Sequence, residues 1–270
     1  VAAGDYGGRN VYYGVREHAM GAVVNGLALH GGVRPVASTF LVFADYLRPS
    51  LRLAALMRLP VLHVFTHDSV HVGEDGPTHQ PVEHLDSLRV IPGLHVVRPA
   101  DARETVEAWR YALRRTDGPT VLVLTRQAVP VLERPAGDHV PRAAGLAGVV
   151  HRTAGTDPRI VLAATGSEVS LAREAALLLE KDGVPVRVVS VPCLEELAAS
   201  PEDRSALLPT GVPRLFVEAG TGASFGEWMS DRDGFHGIRR FGASAPGGTV
   251  ARELGLDPEV VAERARALLG

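Results

Sequence analysis

The chain has 270 residues, enough for one large domain or two of ordinary size. Apolar residues make up 46% and charged residues 22%, the balance of a globular protein rather than a disordered or membrane-embedded one. Lys plus Arg (28) against Asp plus Glu (31) leaves a net charge of −3, too even to point to nucleic acid as a partner, and a single cysteine, Cys193, excludes an internal disulfide and a cysteine-built metal cluster.

The opening "VAAGDYGGRN" has no basic region followed by an apolar stretch, so no signal peptide is expected. No run approaches the ~20 apolar residues of a membrane span. These features predict a cytoplasmic protein without a membrane partner. The chain starts at Val1 rather than Met, so it is expected to be a fragment, a processed product or the ordered part of something longer.

Short β-branched runs then alternate with longer stretches of helical period. "NVYYGV" (10–15) predicts a strand, followed by the helix "REHAMGAVVNGLALHGG" with Gly31 and Gly32 as its stop. "RPVAST" leads into helical "FLVFADYLRPSLRLAALMRL", and "PVLHVFTH" ends in the polar loop "GEDGPTHQP" at 73–81. "LHVVRPA" leads to "DARETVEAWRYALRR", where Asp101 is placed to cap and Glu104 to answer it. "PTVLVLT" closes the first block. Residues 128–152 carry Pro130, Pro135 and Pro141 with no sustained period and predict a linker. "RIVLAAT", "GSEVSLAREAALLLEKDG", "VPVRVVSVP", "PRLFVEA", "GIRRFG" and "PEVVAERARALLG" then resume the alternation.

Strands alternating with helices imply mainly parallel sheets covered on both faces. The expected fold class is α/β, with two doubly wound domains at 1–127 and 153–270. Ligands of open parallel sheets sit beyond the carboxyl ends of the strands, which is where "GEDGPTHQP" falls.

Phe40, Phe43 and Tyr46 recur at every third position, and this spacing suits a helix face in the core or an aromatic wall around a flat ring. Glu17 opens a helix, where the dipole favours an acid; at a buried strand end it could instead hold a proton near neutral pH. His67, His71, His79 and His84, with Asp68 and Asp75, match no zinc-binding spacing, so no metal site is expected on this chain. His71 and His84 read as solvated loop residues, His67 and His79 as hydrogen-bonding groups for a hydroxylated or phosphorylated ligand. Arg126, at the end of an apolar strand, suits an anion or a surface ion pair. Ser167 in "ATGSEV" reads as a helix N-cap, with phosphate binding as the alternative. Cys193 reads as a small buried hydrophobe.

In order along the chain, "YGVREHAM", "STFLVFADY", "THDSV", "GEDGPTHQP", "LTRQ", "ATGSEV" and "FGASAP" resemble the transketolase family. The resemblance implies a pyrimidine-binding domain of a thiamine diphosphate enzyme up to residue 127 and a transketolase C-terminal domain after the linker. It implies that Glu17 bonds the aminopyrimidine ring nitrogen and is catalytic, and that Phe40, Phe43 and Tyr46 wall the cofactor ring. It further implies that His67 and Arg126 reach the sugar phosphate, and that Asp75 and the catalytic His79 contact substrate hydroxyls. His71 stands where the family usually has glycine.

The diphosphate-binding domain of a full transketolase, with its G-D-G motif and divalent cation (Mg2+ or another), has no counterpart in the sequence. Nor does the segment that opens the pyrimidine domain. The expected protein is therefore the C-terminal half of a transketolase, inactive alone, which transfers a two-carbon ketol unit between sugar phosphates once a diphosphate-binding half joins it. The expected assembly is a homodimer or two copies of each half. The alternatives are half of another thiamine diphosphate enzyme (deoxyxylulose phosphate synthase or a decarboxylase beta subunit) and a decayed domain kept for assembly or binding.

Overall fold

The computed structural model describes residues 4, 6–135 and 145–270. Its first sheet contains β1 (Val36–Phe40), β2 (Leu62–Thr66), β3 (His95–Val97) and β4 (Thr120–Leu124), in the order β1-β2-β4-β3 and wholly parallel. The central strands β2 and β4 are largely buried on both faces, as their mainly apolar sequences require. The edge strand β1 has a half-exposed pattern.

Helices α1 (Glu17–His30), α2 (Ala44–Leu56) and α3 (His84–Arg89) cover one face of this sheet. The first two pack closely because Gly21 has no side chain; a Cβ there would lie 2.8 Å from Ser50 Cβ. Helix α4 (Ala102–Arg114) covers the other face with Ala108 and Ala112, beside Leu146 from within the predicted linker and Cys193 from beyond it. Asp101 Oδ1 accepts from Glu104 N at 2.9 Å, the cap read from the sequence. Glu104 answers one residue further back, its Oε2 accepting from Ala100 N at 2.8 Å.

The second sheet runs β5-β7-β6-β8-β9, formed by β5 (Gly148–Arg152), β6 (Ile160–Ala164), β7 (Val186–Ser190), β8 (Arg214–Val217) and β9 (Gly234–His236). Only β5 is antiparallel. On one face the alanine-rich sides of α5 (Glu168–Lys181) and α9 (Pro258–Ala267) pack on Ile160, Leu162 and Ala164. On the other lie α6 (Leu194–Ala198) and α7 (Pro201–Leu207), with Phe216 and Phe225. Helix α8 (Gly247–Glu253) packs instead against the loop after β2. Both sheets are thus doubly wound and mainly parallel, as the alternation predicts.

Three expectations change. "NVYYGV" is not a strand: Tyr12 is 88% and Val15 92% exposed, and no neighbouring strand pairs with it among the described residues. An apolar run without a ladder partner has no reason to extend as a strand. "GIRRFG" lies just past the last strand, which ends at His236. The predicted linker runs too far, because 148–152 form β5, whose register on β7 shifts between Val149 and His151. Residues 136–144 of that linker lie outside the described residues.

Candidate active site at the carboxyl end of the first sheet

The register of the first sheet builds the site. Phe40 pairs with Thr66, and Thr66 with Leu124, so three strand ends form one row. His67 is the next residue after β2, and Arg126 lies two beyond β4. Neighbouring strands lie ~4.8 Å apart, so His67 emerges beside the end of β1 and Arg126 one strand further along the same row.

The aromatic trio does not form a helix face. Phe40 ends β1, Phe43 ends a 3-10 turn (Leu41–Phe43), and Tyr46 lies in the first turn of α2. A 3-10 turn has three residues per turn and eclipses every third side chain. Ring centroids therefore follow at 5.8 Å (Phe40–Phe43) and 5.9 Å (Phe43–Tyr46). The core row is one residue later: Leu41, Ala44 and Leu47 are at most 1% exposed, whereas Phe40 and Phe43 are half-buried and Tyr46 is exposed. An aromatic wall fits this geometry; a core stripe does not.

The loop after β2 closes the cluster. His67 lies 5.3 Å from Phe40 between ring centroids, and His79 lies 6.1 Å from Phe40 and 5.5 Å from Phe43, both edge-on. Thr78 Oγ1 is 2.9 Å from His79 Nδ1, which fixes the tilt of that ring. Burial lowers the His67 pKa, the positive charge of Arg126 lowers it further, and Asp68 and Asp75 oppose the shift. Arg126 and Asp75 thus lie within electrostatic reach of His67. Asp75 and Arg126 are exposed.

Glu17 opens α1, a helix that runs back toward the start of β1, so its first residue stands at the site end of the sheet. It is half-buried, and its carboxylate has no hydrogen-bond partner among the described residues.

His71 is half-buried rather than solvated, its backbone N–H donating to Ser69 Oγ at 3.4 Å. His84 is 4% exposed, with Nε2 3.3 Å from the exposed Asp45 carboxylate. Neither joins the ring cluster. Ser167 makes no side-chain cap; it lies on a turn whose Gly166 would place a Cβ 2.6 Å from the Arg98 guanidinium. That turn is a seat for Arg98, not a phosphate cradle. Burial pushes the Cys193 thiol pKa well up, consistent with a packing role.

Sequence reasoning missed the polar seam behind the site. Asp68 follows His67 and is 1% exposed; its Oδ2 accepts from Arg98 Nη2 at 2.6 Å and Nε at 3.1 Å. Arg98 Nη1 crosses to the second domain, donating to Glu168 and, at 3.0 Å, to the Thr165 carbonyl. Thr165 Oγ1 donates to Glu218 at 2.5 Å, and both Glu218 oxygens accept from Arg89 at 2.8 and 2.7 Å. Burial lowers the Arg98 pKa, but Glu168 and Asp68 outweigh it, and the net shift is upward. A lone arginine in "VVRPAD" gave no sign of these partners, which are 30 and 70 residues distant.

The profile of the transketolase pyrimidine-binding domain matches residues 3–131, and that of the transketolase-like C-terminal domain matches 148–257. A transketolase of Halalkalibacterium halodurans is 50% identical over 267 residues, 98% of this chain and 40% of its own length. That of Bacillus subtilis is 48% identical with the same coverage. The chain thus spans about 40% of the length of these curated relatives. A Pichia stipitis transketolase solved in complex with sedoheptulose 7-phosphate is 40% identical, with a TM-score of 0.91 over 98% of this chain and 38% of its own. A split-gene transketolase solved as an inactive β4 tetramer is 25% identical, with a TM-score of 0.74 over 94% of this chain and 82% of its own. Two adjoining profiles, relatives at half identity and a matching fold have one reading: the chain belongs to the transketolase family, whose pyrimidine-binding and C-terminal domains it comprises.

Proposed function

We propose that this chain is the C-terminal half of a thiamine-diphosphate-dependent transketolase, which moves a two-carbon ketol unit between sugar phosphates once joined by a diphosphate-binding half. The observation that carries the reading is the row of rings Phe40, Phe43 and Tyr46 over the strand ends, backed by His67 and His79. The row is open on one side, since Tyr46 is 65% exposed, and an open aromatic wall at the same end of the sheet as Glu17, which has no hydrogen-bond partner among the described residues, fits a flat heteroaromatic ring. The cofactor's diphosphate and a divalent cation such as Mg2+ fall to the other half. When bound, the cofactor supplies the carbanion chemistry, and the protein positions it and tunes its charge.

This chain's residues then divide the work. Phe40, Phe43 and Tyr46 orient the ring and exclude water from its face. Glu17 holds a proton at the pyrimidine ring nitrogen, which favours the tautomer that can act as a base. Arg126 and His67 bind the sugar phosphate through charge-assisted hydrogen bonds. His79 donates to an oxygen that gains charge during transfer and relays its proton. Asp75 accepts from a substrate hydroxyl, and the wrong epimer leaves that bond unmade.

The proposed assembly is a dimer of joined halves, or two copies of each separate half, in the cytoplasm; no helix among the described residues is long and apolar enough to cross a membrane. Calorimetry with thiamine diphosphate and Mg2+, then a coupled assay with ketose and aldose phosphates, tests the reading. The chain alone should bind the cofactor weakly and turn nothing over. Adding a transketolase diphosphate-binding half, fused or in trans, should restore Mg2+-dependent ketol transfer. Tight cofactor binding with turnover by the isolated chain sinks the half-enzyme reading, and a decarboxylated or deoxyxylulose product reassigns the reaction.

A further inference from the structure

The loop that carries Asp75 and His79 has two unlike sides. Asp75 and Thr78 are exposed and His79 is half-buried, whereas Gly73, Gly76 and Gln80 are buried. What buries the second side is the segment 242–247, which lies in the second domain and includes the first residue of α8.

The two segments meet almost backbone to backbone. A Cβ on Gly73 would lie 3.0 Å from Gly247 N, and a Cβ on Gly247 would lie 2.5 Å from the His71 carbonyl oxygen. A Cβ on Gly76 would collide with Ser244 Oγ, and one on Gly242 with Gln80 Oε1. Gln80, 2% exposed, fastens the pair: its Nε2 donates to Gly73 O at 2.8 Å and to Ala243 O at 3.0 Å. Glycines on both sides let two chains approach where any side chain would hold them apart. Gly73 and Gly76 also have φ of 81° and 77°, the left-handed region that favours glycine. The loop therefore has no independent freedom to place Asp75; its rear face is set by the second domain.

Resting on the function proposed above, we infer that residues 242–247 are a positioning element of the site, which holds the substrate loop from behind and thereby sets its discrimination among hydroxylated aldehyde acceptors. The contacts that fix their position are with the rear of the loop. These residues act through the loop, and so the second domain takes part in specificity without touching substrate.

The test uses the active assembly of this chain with a diphosphate-binding half. Gly247→Ala should displace the loop and lower the ratio of kcat/KM for a 2R-hydroxyaldehyde over an aldehyde lacking that hydroxyl by ~10-fold, the loss of one hydrogen bond. Gln80→Ala, which loosens the fastening rather than pushing on it, should lower the same ratio. Gly248→Ala is the control, because a Cβ there meets nothing within 4 Å, and it should leave the ratio unchanged. Amide hydrogen exchange over 71–80 should quicken in the first two variants and not in the control, whether or not the assembly is active. An unchanged ratio in folded Gly247→Ala and Gln80→Ala, or unchanged exchange over the loop, overturns the inference. A wild-type assembly without ketol transfer instead overturns the reaction proposed, and the exchange result still decides whether 242–247 hold the loop.

Discussion

At the carboxyl end of the first sheet Asp75 and Arg126 stand exposed, and Glu17 is half-buried with no hydrogen-bond partner among the described residues. At the seam between the domains Arg98, Asp68, Glu168 and Glu218 are at most 2% exposed, and each has charged or hydrogen-bonding partners. The two regions use the same residue types in opposite ways. An ion can be taken out of water only where its partner is permanent, because the desolvation cost must be offset in the folded state. A charge reserved for a ligand must keep its water until the ligand arrives. The pairing state of each charge thus separates residues that hold the fold from residues that await chemistry, although Asp68 and His67 are neighbours in sequence.

Breaking the seam should have the largest effect. Arg98→Ala leaves Asp68 and Glu168 buried and unpaired and should cost about 3–5 kcal/mol in urea unfolding. Arg266→Ala removes an arginine of the same type from a half-exposed pair with Asp182 and should cost less than about 1 kcal/mol. Equal costs would erase the distinction between the regions. Acid acts on a third kind of site. His63 in β2 is 1% exposed, with no partner for either ring nitrogen among the described residues, and burial lowers its pKa to about 4. The unfolded chain takes up this proton near 6.5 and the folded chain only near 4, so stability is lost as pH falls through that window, on the order of 3 kcal/mol by its lower end. His63→Leu should flatten this part of a stability–pH profile; an unaltered slope would assign it to other groups.

The seam was the part least legible in the sequence, for a physical reason. Strand–helix alternation is local, so both sheets could be read from it, as could the Asp101 cap. "NVYYGV" misled because a strand also needs a partner, which periodicity does not encode. The third-position spacing of Phe40, Phe43 and Tyr46 cannot tell a helix face from a 3-10 turn, and only burial shows that Leu41, Ala44 and Leu47 are the core row. Candidate site residues were legible through an ordered set of motifs resembling a family. Arg98 and Gln80 were not, because their meaning lies in partners up to 163 residues away.

On the site side, Glu17→Gln in the assembled enzyme should leave unfolding unchanged and lower turnover by at least ~100-fold, the scale of an acid–base group. Glutamine can still hydrogen-bond the ring nitrogen but cannot exchange the proton. Turnover near wild type would remove Glu17 from the mechanism, and a loss of stability would move it to the structural side of the comparison.

The smallest effects within the site should come from the proposed phosphate end, where one region grades into the other. Arg126 is exposed and has no ion-pair or hydrogen-bond partner among the described residues, so Arg126→Ala should spare stability. His67 is half-buried, and burial together with Arg126 lowers its pKa below the ordinary 6.5, which keeps the ring largely neutral at pH 7. It donates one hydrogen bond in that state and becomes a cation only as pH falls through its lowered pKa. Arg126→Ala should therefore cost more than His67→Ala at pH 7, within about 1.5–3 kcal/mol for a charge-assisted contact. The deficit of Arg126→Ala should shrink on acidification, because removing the arginine lifts one of the two influences that hold the His67 proton off. The measurement is the ratio of kcat/KM for a phosphorylated acceptor to that for its non-phosphorylated analogue, followed from pH 7.5 to 5.5. If both substrates lose equally at every pH, neither residue reads the phosphate, and both join the structural charges of the seam.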